Sequence, residues 1–325
     1  MVRVGIVGTG GMGTVHYQNY THIYGCKVVA LVGITQQSQE SAEQWGLPLY
    51  EDIHAMARAE QVDVVDVCSP TYLHHQHVME ALDCGMHAIT EKPVALHKKD
   101  AEAMFELADK KGRQLYVAQV LQFTKEAEVL RGLVRSGEYG KPLDAFFERL
   151  SARPRWVQGG WLFDKEKSGL LPFDLHIHDL DVIVSLFGRP ESFSFTSCGG
   201  KNRGFKEHYR FIYNYKEMNV AAEAAWLNAD IPFTAHWRVY FENALVVNDG
   251  THLVAYPADA QPRVFDTQDE NKIPTGINLP PTGMFLRELS HFIDCARQGI
   301  PSDRVSRQQV LTVVDVLEEM TGASN

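Results

Sequence analysis

Cysteine pairs are the first thing this 325-residue chain lacks. Its five cysteines (Cys26, Cys68, Cys84, Cys198 and Cys295) are dispersed, with no C-x-x-C spacing. That excludes a disulfide framework and a cysteine-built zinc site, and leaves reduced thiols that behave as small buried hydrophobes. No apolar run reaches the roughly 18 residues that a membrane span needs. A Lys/Arg-rich run is missing too, and the net charge of −10 argues against a nucleic-acid surface. Internal repeats and low-complexity tracts are absent. The opening residues, MVRVGIVG, read as a buried strand rather than a secretion leader. With the dispersed thiols, they lead to the expectation of a cytoplasmic protein.

The composition present is that of an ordinary globular protein, 45% hydrophobic and 22% charged. The length suits two domains, and the texture changes near residue 121. Before it, short Val/Ile/Ala-rich runs (RVGIVG, KVVALVGI, VDVVDVCS, HAIT, QLYVAQVL) alternate with helical stretches that end in glycine. That alternation predicts a doubly wound parallel sheet. After it come long β-type runs such as HYRFIYNYKEMNVAAEAAWL and FTAHWRVYFENALVVNDG, with too few helices between them for parallel connections. The expected fold is therefore α/β: a dinucleotide-binding Rossmann domain over 1–121, then an α+β domain over 122–325 with an open, mainly antiparallel sheet. Two terminal helices close the second domain.

GIVGTGGMGTVH places Gly8, Gly10 and Gly13 in G-x-G-x-x-G order between the first strand and its helix. Gly8 allows the tight turn, Gly10 lets backbone amides reach a pyrophosphate, and Gly13 lets helix and sheet pack closely. Gly11 and Met12 complete the expected phosphate contact. An acidic residue about 20 positions on usually holds the adenosine ribose. Here that place is Gly33, followed by Ile34-Thr35-Gln36-Gln37-Ser38. Neither a carboxylate for NAD nor a cation for NADP is present, so the choice between the two stays open. Ligands bind beyond the carboxyl ends of such strands. That brings in Ser69, Pro70, Thr71 and His74 after strand four, and Glu91, Lys92 and Pro93 after strand five.

FDLHIHDLD, residues 173–181, poses a separate choice. As a strand it would put Asp174, His176 and His178 on one face as metal ligands. As a helix it would stack Asp174 on His178 and turn His176 away. Pro172 suits a first turn, Gly188 and Pro190 suit a stop, and Ile177, Leu180, Val184 and Phe187 follow helical spacing. At about 100° per residue, Asp174, His178, Asp181 and Ser185 share one face. The helix reading prevails, with His176, Asp179 and Asp181 as structural polar residues. Such an Asp–His pair suits proton transfer, since an imidazole of ordinary pKa, about 6.5, can take a hydroxyl proton. Gln119, Arg153, Trp156, Trp161 and Asp164 are further candidates for a sugar ring. His236, Arg238 and Tyr240 alternate on one later strand face.

An N-terminal GxGxxG, EKP at 91–93, D-x-x-x-H at 174–178 and the run HDLDVIVSLFG together resemble the glucose–fructose oxidoreductase/inositol dehydrogenase/MocA family over nearly the whole chain. The resemblance implies an NAD(P)-dependent oxidoreductase acting on a secondary hydroxyl of a sugar, polyol, inositol or glycoside. It implies Lys92, Asp174 and His178 as the catalytic set, a cis Lys92–Pro93 bond, no metal, and a homodimer or homotetramer. Two departures stand out: Gln122–Phe123 where the family has Arg-Phe, and Ser168-Gly169-Leu170 where it has Ser-Gly-Gly. The alternatives are a non-catalytic dinucleotide-binding sensor and a metal-dependent hydrolase built on HIHDLD.

Overall fold

The structure, a computed structural model, describes residues 1–155, 157–201, 203–277 and 281–322. The first of its two compact units opens with β1 (Val2–Val7), α1 (Gly11–Tyr20), β2 (Cys26–Val32), α2 (Gln36–Trp45), β3 (Leu49–Tyr50) and α3 (Ile53–Ala59). It continues with β4 (Val64–Val67), α4 (His74–Asp83), β5 (His87–Glu91), α5 (Lys98–Lys111) and β6 (Leu115–Ala118). The strands form one parallel sheet in the order β3-β2-β1-β4-β5-β6. Every residue of β4, β5 and β6 is buried, which is why those strands read as continuous apolar runs. Helices α2 and α5 stop at Gly46 and Gly112, both in the left-handed region.

The second unit contains α6 (Lys125–Ser136), β7 (Pro142–Ala152), α7 (Lys165–Ser168), α8 (Ile177–Phe187) and the strands β8 (Ser192–Cys198), β9 (His208–Tyr215) and β10 (Met218–Leu227). Strands β11 (Thr234–Phe241), β12 (Ala244–Asn248), β13 (Leu253–Pro257) and β14 (Arg263–Phe265) complete its sheet. The order is β14-β13-β12-β11-β7-β10-β9-β8, antiparallel except for the β7–β10 pair. Burial alternates along β9, with Tyr209, Phe211 and Tyr213 inside and Arg210 and Ile212 outside. Helix α8 is buried over most of its circumference, including Ile177, Leu180, Val182, Ile183 and Val184, while Phe187 is only half-buried. The apolar stripe expected for it is therefore wider than the spacing implied. Its buried Asp179 is gripped by Arg149 of β7 through two bonds of 3.0 and 2.8 Å.

After Gln268 the chain returns to the first unit, which takes in Asp269–Val314. Helix α9 (Met284–Gln298) packs on α1, and its Leu289, Phe292 and Ile293 lie in the same core as the parallel sheet. The division between units falls inside α10 (Arg307–Gly322), after Val314. The break expected after residue 121 places both terminal helices in the second domain, whereas α9 and α10 up to Val314 belong to the first unit. An amphipathic stripe shows that a helix is buried, but not which sheet buries it.

Two glycines of the first turn behave differently. A Cβ on Gly13 would lie 2.0 Å from the Gly8 carbonyl oxygen, whereas one on Gly10 would meet nothing within 4 Å. Gly10 has φ −68°, open to any residue. Gly13→Ala is expected to lower the unfolding free energy by about 2–3 kcal/mol, the overpacking range. Gly10→Ala is expected to change it by less than about 0.5 kcal/mol. Urea denaturation of both variants checks this, and equal losses would contradict the packing account.

Candidate active site

In the first unit, α1 begins at Gly10 with no side chain capping it and no acidic residue in its first turn. The exposed turn amides and the open space over Gly10 fit an anionic diphosphate. Gly8 has φ +87°, and a Cβ there would press on the Ser69 backbone at 3.0 Å, so the β1 and β4 ends are held together. Met12 packs beside Val15, Val120 and Phe285. At the end of β2, Gly33 leaves room for Ser38, whose side chain would have to shift to admit a Cβ there. The Ser38 hydroxyl meets Thr9 Oγ1 at 3.1 Å and Thr35 Oγ1 at 2.9 Å. Hydroxyls therefore stand where a carboxylate usually does, and Ile34 beside them is 80% exposed.

The ends of β4 and β5 are braced from within. Ser69 Oγ meets His77 Nδ1 at 2.9 Å, and Thr71 is buried at the start of a short 3₁₀ turn. His74, expected among the cofactor contacts, is instead 1% exposed, with Nδ1 2.7 Å from Pro93 O and Nε2 2.8 Å from Ser69 O. Burial holds its pKa below the ordinary value, although those carbonyls pull the other way. Glu91 is also turned inward: Oε2 accepts the Lys92 N–H at 3.1 Å, and Oε1 lies 3.1 Å from His16 Nε2. The Lys92–Pro93 bond is cis, and Lys92 is half-buried. Gln119, just beyond β6, is 2% exposed, and among the described residues its Oε1 has no hydrogen-bond partner. A ligand donor would satisfy it.

Among the described residues, the group spaced for a metal is His16, Asp66 and Cys68. Its His16 Nδ1 and Asp66 Oδ2 are 2.8 Å apart, a hydrogen-bond separation. Ligands around one zinc ion stand roughly 3.3 Å apart or more, so these atoms hold each other rather than a metal.

In the second unit, residues 172–176 form a π-helical turn that runs into α8. Helical geometry was legible in the sequence, but the wider turn was not. Such turns recur at functional sites. Asp174 sits in the π turn and His178 in the first turn of α8, both half-buried. His176 points away into the core, with Nε2 2.6 Å from Tyr213 Oη and its ring stacked on Phe211 at 3.8 Å. Just upstream, Leu170 takes φ +62°, a strained conformation for leucine, at the place where the resemblance expects glycine.

The sugar-ring candidates fare unevenly. Asp164 caps α7 by accepting the Glu166 N–H, and Arg153 lies over the Phe163 and Phe205 rings at 4.9 and 5.3 Å. Both therefore have structural uses. Trp161 is half-buried, and Trp156 lies outside the described residues. A cavity of about 510 Å³ borders Lys165, Leu170, Lys201, Arg203 and Phe211, yet none of the expected site residues lines it.

Profiles built on known proteins decide the family. The profile described as an oxidoreductase family with an NAD-binding Rossmann fold matches residues 2–119, and the GFO/IDH/MocA C-terminal domain profile matches residues 128–247. The chain belongs to the Gfo/Idh/MocA family. A D-glucoside 3-dehydrogenase of Escherichia coli (strain K12) is 32% identical over 195 residues, 58% of this chain and 55% of that protein. A 2,7-anhydro-N-acetylneuraminate hydratase of Mediterraneibacter gnavus is 29% identical over 249 residues, 74% of this chain and 64% of that one. The match thus spans between about half and two thirds of these relatives' lengths. A solved levoglucosan dehydrogenase, in complex with NADH and levoglucosan, shares the fold at TM-score 0.84 and 18% identity, covering 100% of this Gfo/Idh/MocA chain and 98% of that one.

His176 yields a pH prediction. Burial, helped by the Arg149 guanidinium, pushes its pKa down to about 3. The folded state keeps the ring neutral while the unfolded chain takes a proton below about pH 6.5. Stability is thus lost as pH falls from about 6.5 toward 3, at most about 1.4 kcal/mol per pH unit. In urea unfolding, the loss between pH 7 and pH 5 should be smaller by about 2 kcal/mol in His176→Phe than in the wild type. Equal losses would show that His176 titrates normally in the fold.

Proposed function

We propose that this protein is a cytoplasmic NAD(P)-dependent dehydrogenase acting on a secondary hydroxyl of a sugar, polyol, inositol or glycoside. One observation carries the reading: of the residues that the family resemblance implies as catalytic, Lys92 follows a buried strand end, Asp174 sits in the π turn before α8, and His178 sits one turn later in α8. When bound, the nicotinamide supplies a hydride acceptor. His178 takes the hydroxyl proton as the C–H electron pair leaves carbon and the C=O bond forms. Asp174 orients the imidazole and stabilises its charged form. Lys92 offers an ammonium that polarises the alcohol oxygen. Gly8, Gly10, Gly11, Met12 and Gly13 hold the diphosphate, and Gln119 Oε1 accepts from a ligand N–H or O–H. His176 is committed to Tyr213, which disfavours the metal-hydrolase reading of HIHDLD.

The open face of the second sheet fits a second copy of the chain. The register aligns Ile212, Ala221, Phe146, Arg238, Val247, Val254 and Val264 in one row across seven strands. None of these is buried, and Ile212 and Val264 are 41% and 65% exposed. Such a surface favours a homo-oligomer.

A screen of sugars, inositols and glycosides with NAD⁺ and NADP⁺, read by reduced-cofactor absorbance, tests the activity. Lys92→Ala and His178→Ala should each lower kcat by about 10²-fold while dinucleotide affinity holds within a few-fold. Undiminished turnover removes that residue from the mechanism. Dinucleotide binding with no turnover on any alcohol would favour the sensor.

A further inference from the structure

Beneath the glycine turn, the first unit buries ionisable groups that the proposed reaction leaves unused. His16 on α1 and Asp66 on β4 are both 0% exposed, and Glu91 at the end of β5 is 7% exposed. We propose that His16 is a positioning residue: its ring, hydrogen-bonded to Asp66 and ion-paired with Glu91, fixes the Glu91 carboxylate, and through it sets the direction of the Lys92 side chain.

The geometry leaves Glu91 little freedom. One of its oxygens lies 3.1 Å from His16 Nε2, an ion-pair contact without hydrogen-bond geometry, while the other accepts the Lys92 N–H at 3.1 Å. The opposite ring nitrogen of His16 meets Asp66 Oδ2 at 2.8 Å, and Tyr20 Oη donates to that same oxygen at 2.8 Å. Cys68 Sγ closes the cluster 3.3 Å from His16 Nδ1, and the Phe285 ring of α9 stands 6.3 Å from the imidazole. A ring hydrogen-bonded to one ionised carboxylate and ion-paired with a second is stabilised in its charged form. Burial opposes that charge, yet the Asp66 carboxylate holds the His16 pKa well above the ordinary value. On the far side of Lys92, the Pro93 carbonyl oxygen lies 2.7 Å from His74 Nδ1. Lys92 therefore sits between two residues clamped by buried histidines. A helix that carries the phosphate-binding turn at its start thus also steers, one turn later, the lysine of the next strand end but one.

The inference rests on Lys92 being a catalytic group, so its test includes a readout that needs no substrate. His16→Gln, Glu91→Gln and the pair combined are acetylated competitively, and Lys92 labelling is compared with that of exposed Lys99 by mass spectrometry. Each single variant should change the Lys92/Lys99 ratio by at least about threefold and lower kcat by about tenfold or more, with NAD⁺ affinity within about threefold of wild type. Because His16 acts through Glu91, the combined variant should change no further than the larger single one. Glu91→Gln keeps the His16–Asp66 pair, so it reports even if His16→Gln fails to fold. An unchanged labelling ratio in Glu91→Gln, or effects that multiply in the combined variant, would overturn the proposal. Absence of turnover in the wild type would defeat the proposed activity, and the labelling ratio would still decide the positioning role.

Discussion

The first unit depends on how closely α1 lies against the end of β1. With no room for a Cβ between Gly13 and the Gly8 carbonyl, the helix starts at the sheet's carboxyl edge and presents its amides there. The same placement, continued along the helix, brings His16 and Tyr20 over Asp66 in the neighbouring strand. One close approach therefore supplies uncapped amides at the helix start and an ionic brace a turn or two later. Relaxing it with a single methyl group would disturb both.

The second unit relies on a different device. Asp174 and His178 sit where a left-handed leucine and a π turn lead into a helix buried nearly all round. Buried Asp179 and Arg149 tie that helix to β7, and removing one partner of such a pair typically costs about 3–5 kcal/mol because the other is left charged and buried. Rigid support of this kind suits a base that must hold one position. The leucine at residue 170 replaces the glycine that the family resemblance expects and takes up the unfavourable φ, so this chain carries local strain four residues before Asp174.

Local signals made much of this legible. The glycine turn, the strand ends at Ser69 and Lys92, and the helical reading of FDLHIHDLD each follow from residues within a few positions of one another. What the sequence concealed is long-range. Arg149–Asp179 joins residues 30 apart and His16–Asp66 joins residues 50 apart, and nothing in either segment names its partner. His74 and Asp164 looked like ligand contacts because polar residues near a strand end or before a helix serve both purposes; their carbonyl and cap partners emerge only in three dimensions. The return of α9 to the parallel sheet is hidden for the same reason.

The most direct test of the account is calorimetric titration of the protein with NAD⁺ and NADP⁺, set beside the Gly10→Ala variant. The account predicts one dinucleotide per chain and at least about tenfold weaker binding in the variant, since its methyl group fills space that only the diphosphate needs. Equal affinity in both proteins, or no binding of either dinucleotide at millimolar concentration, would contradict it.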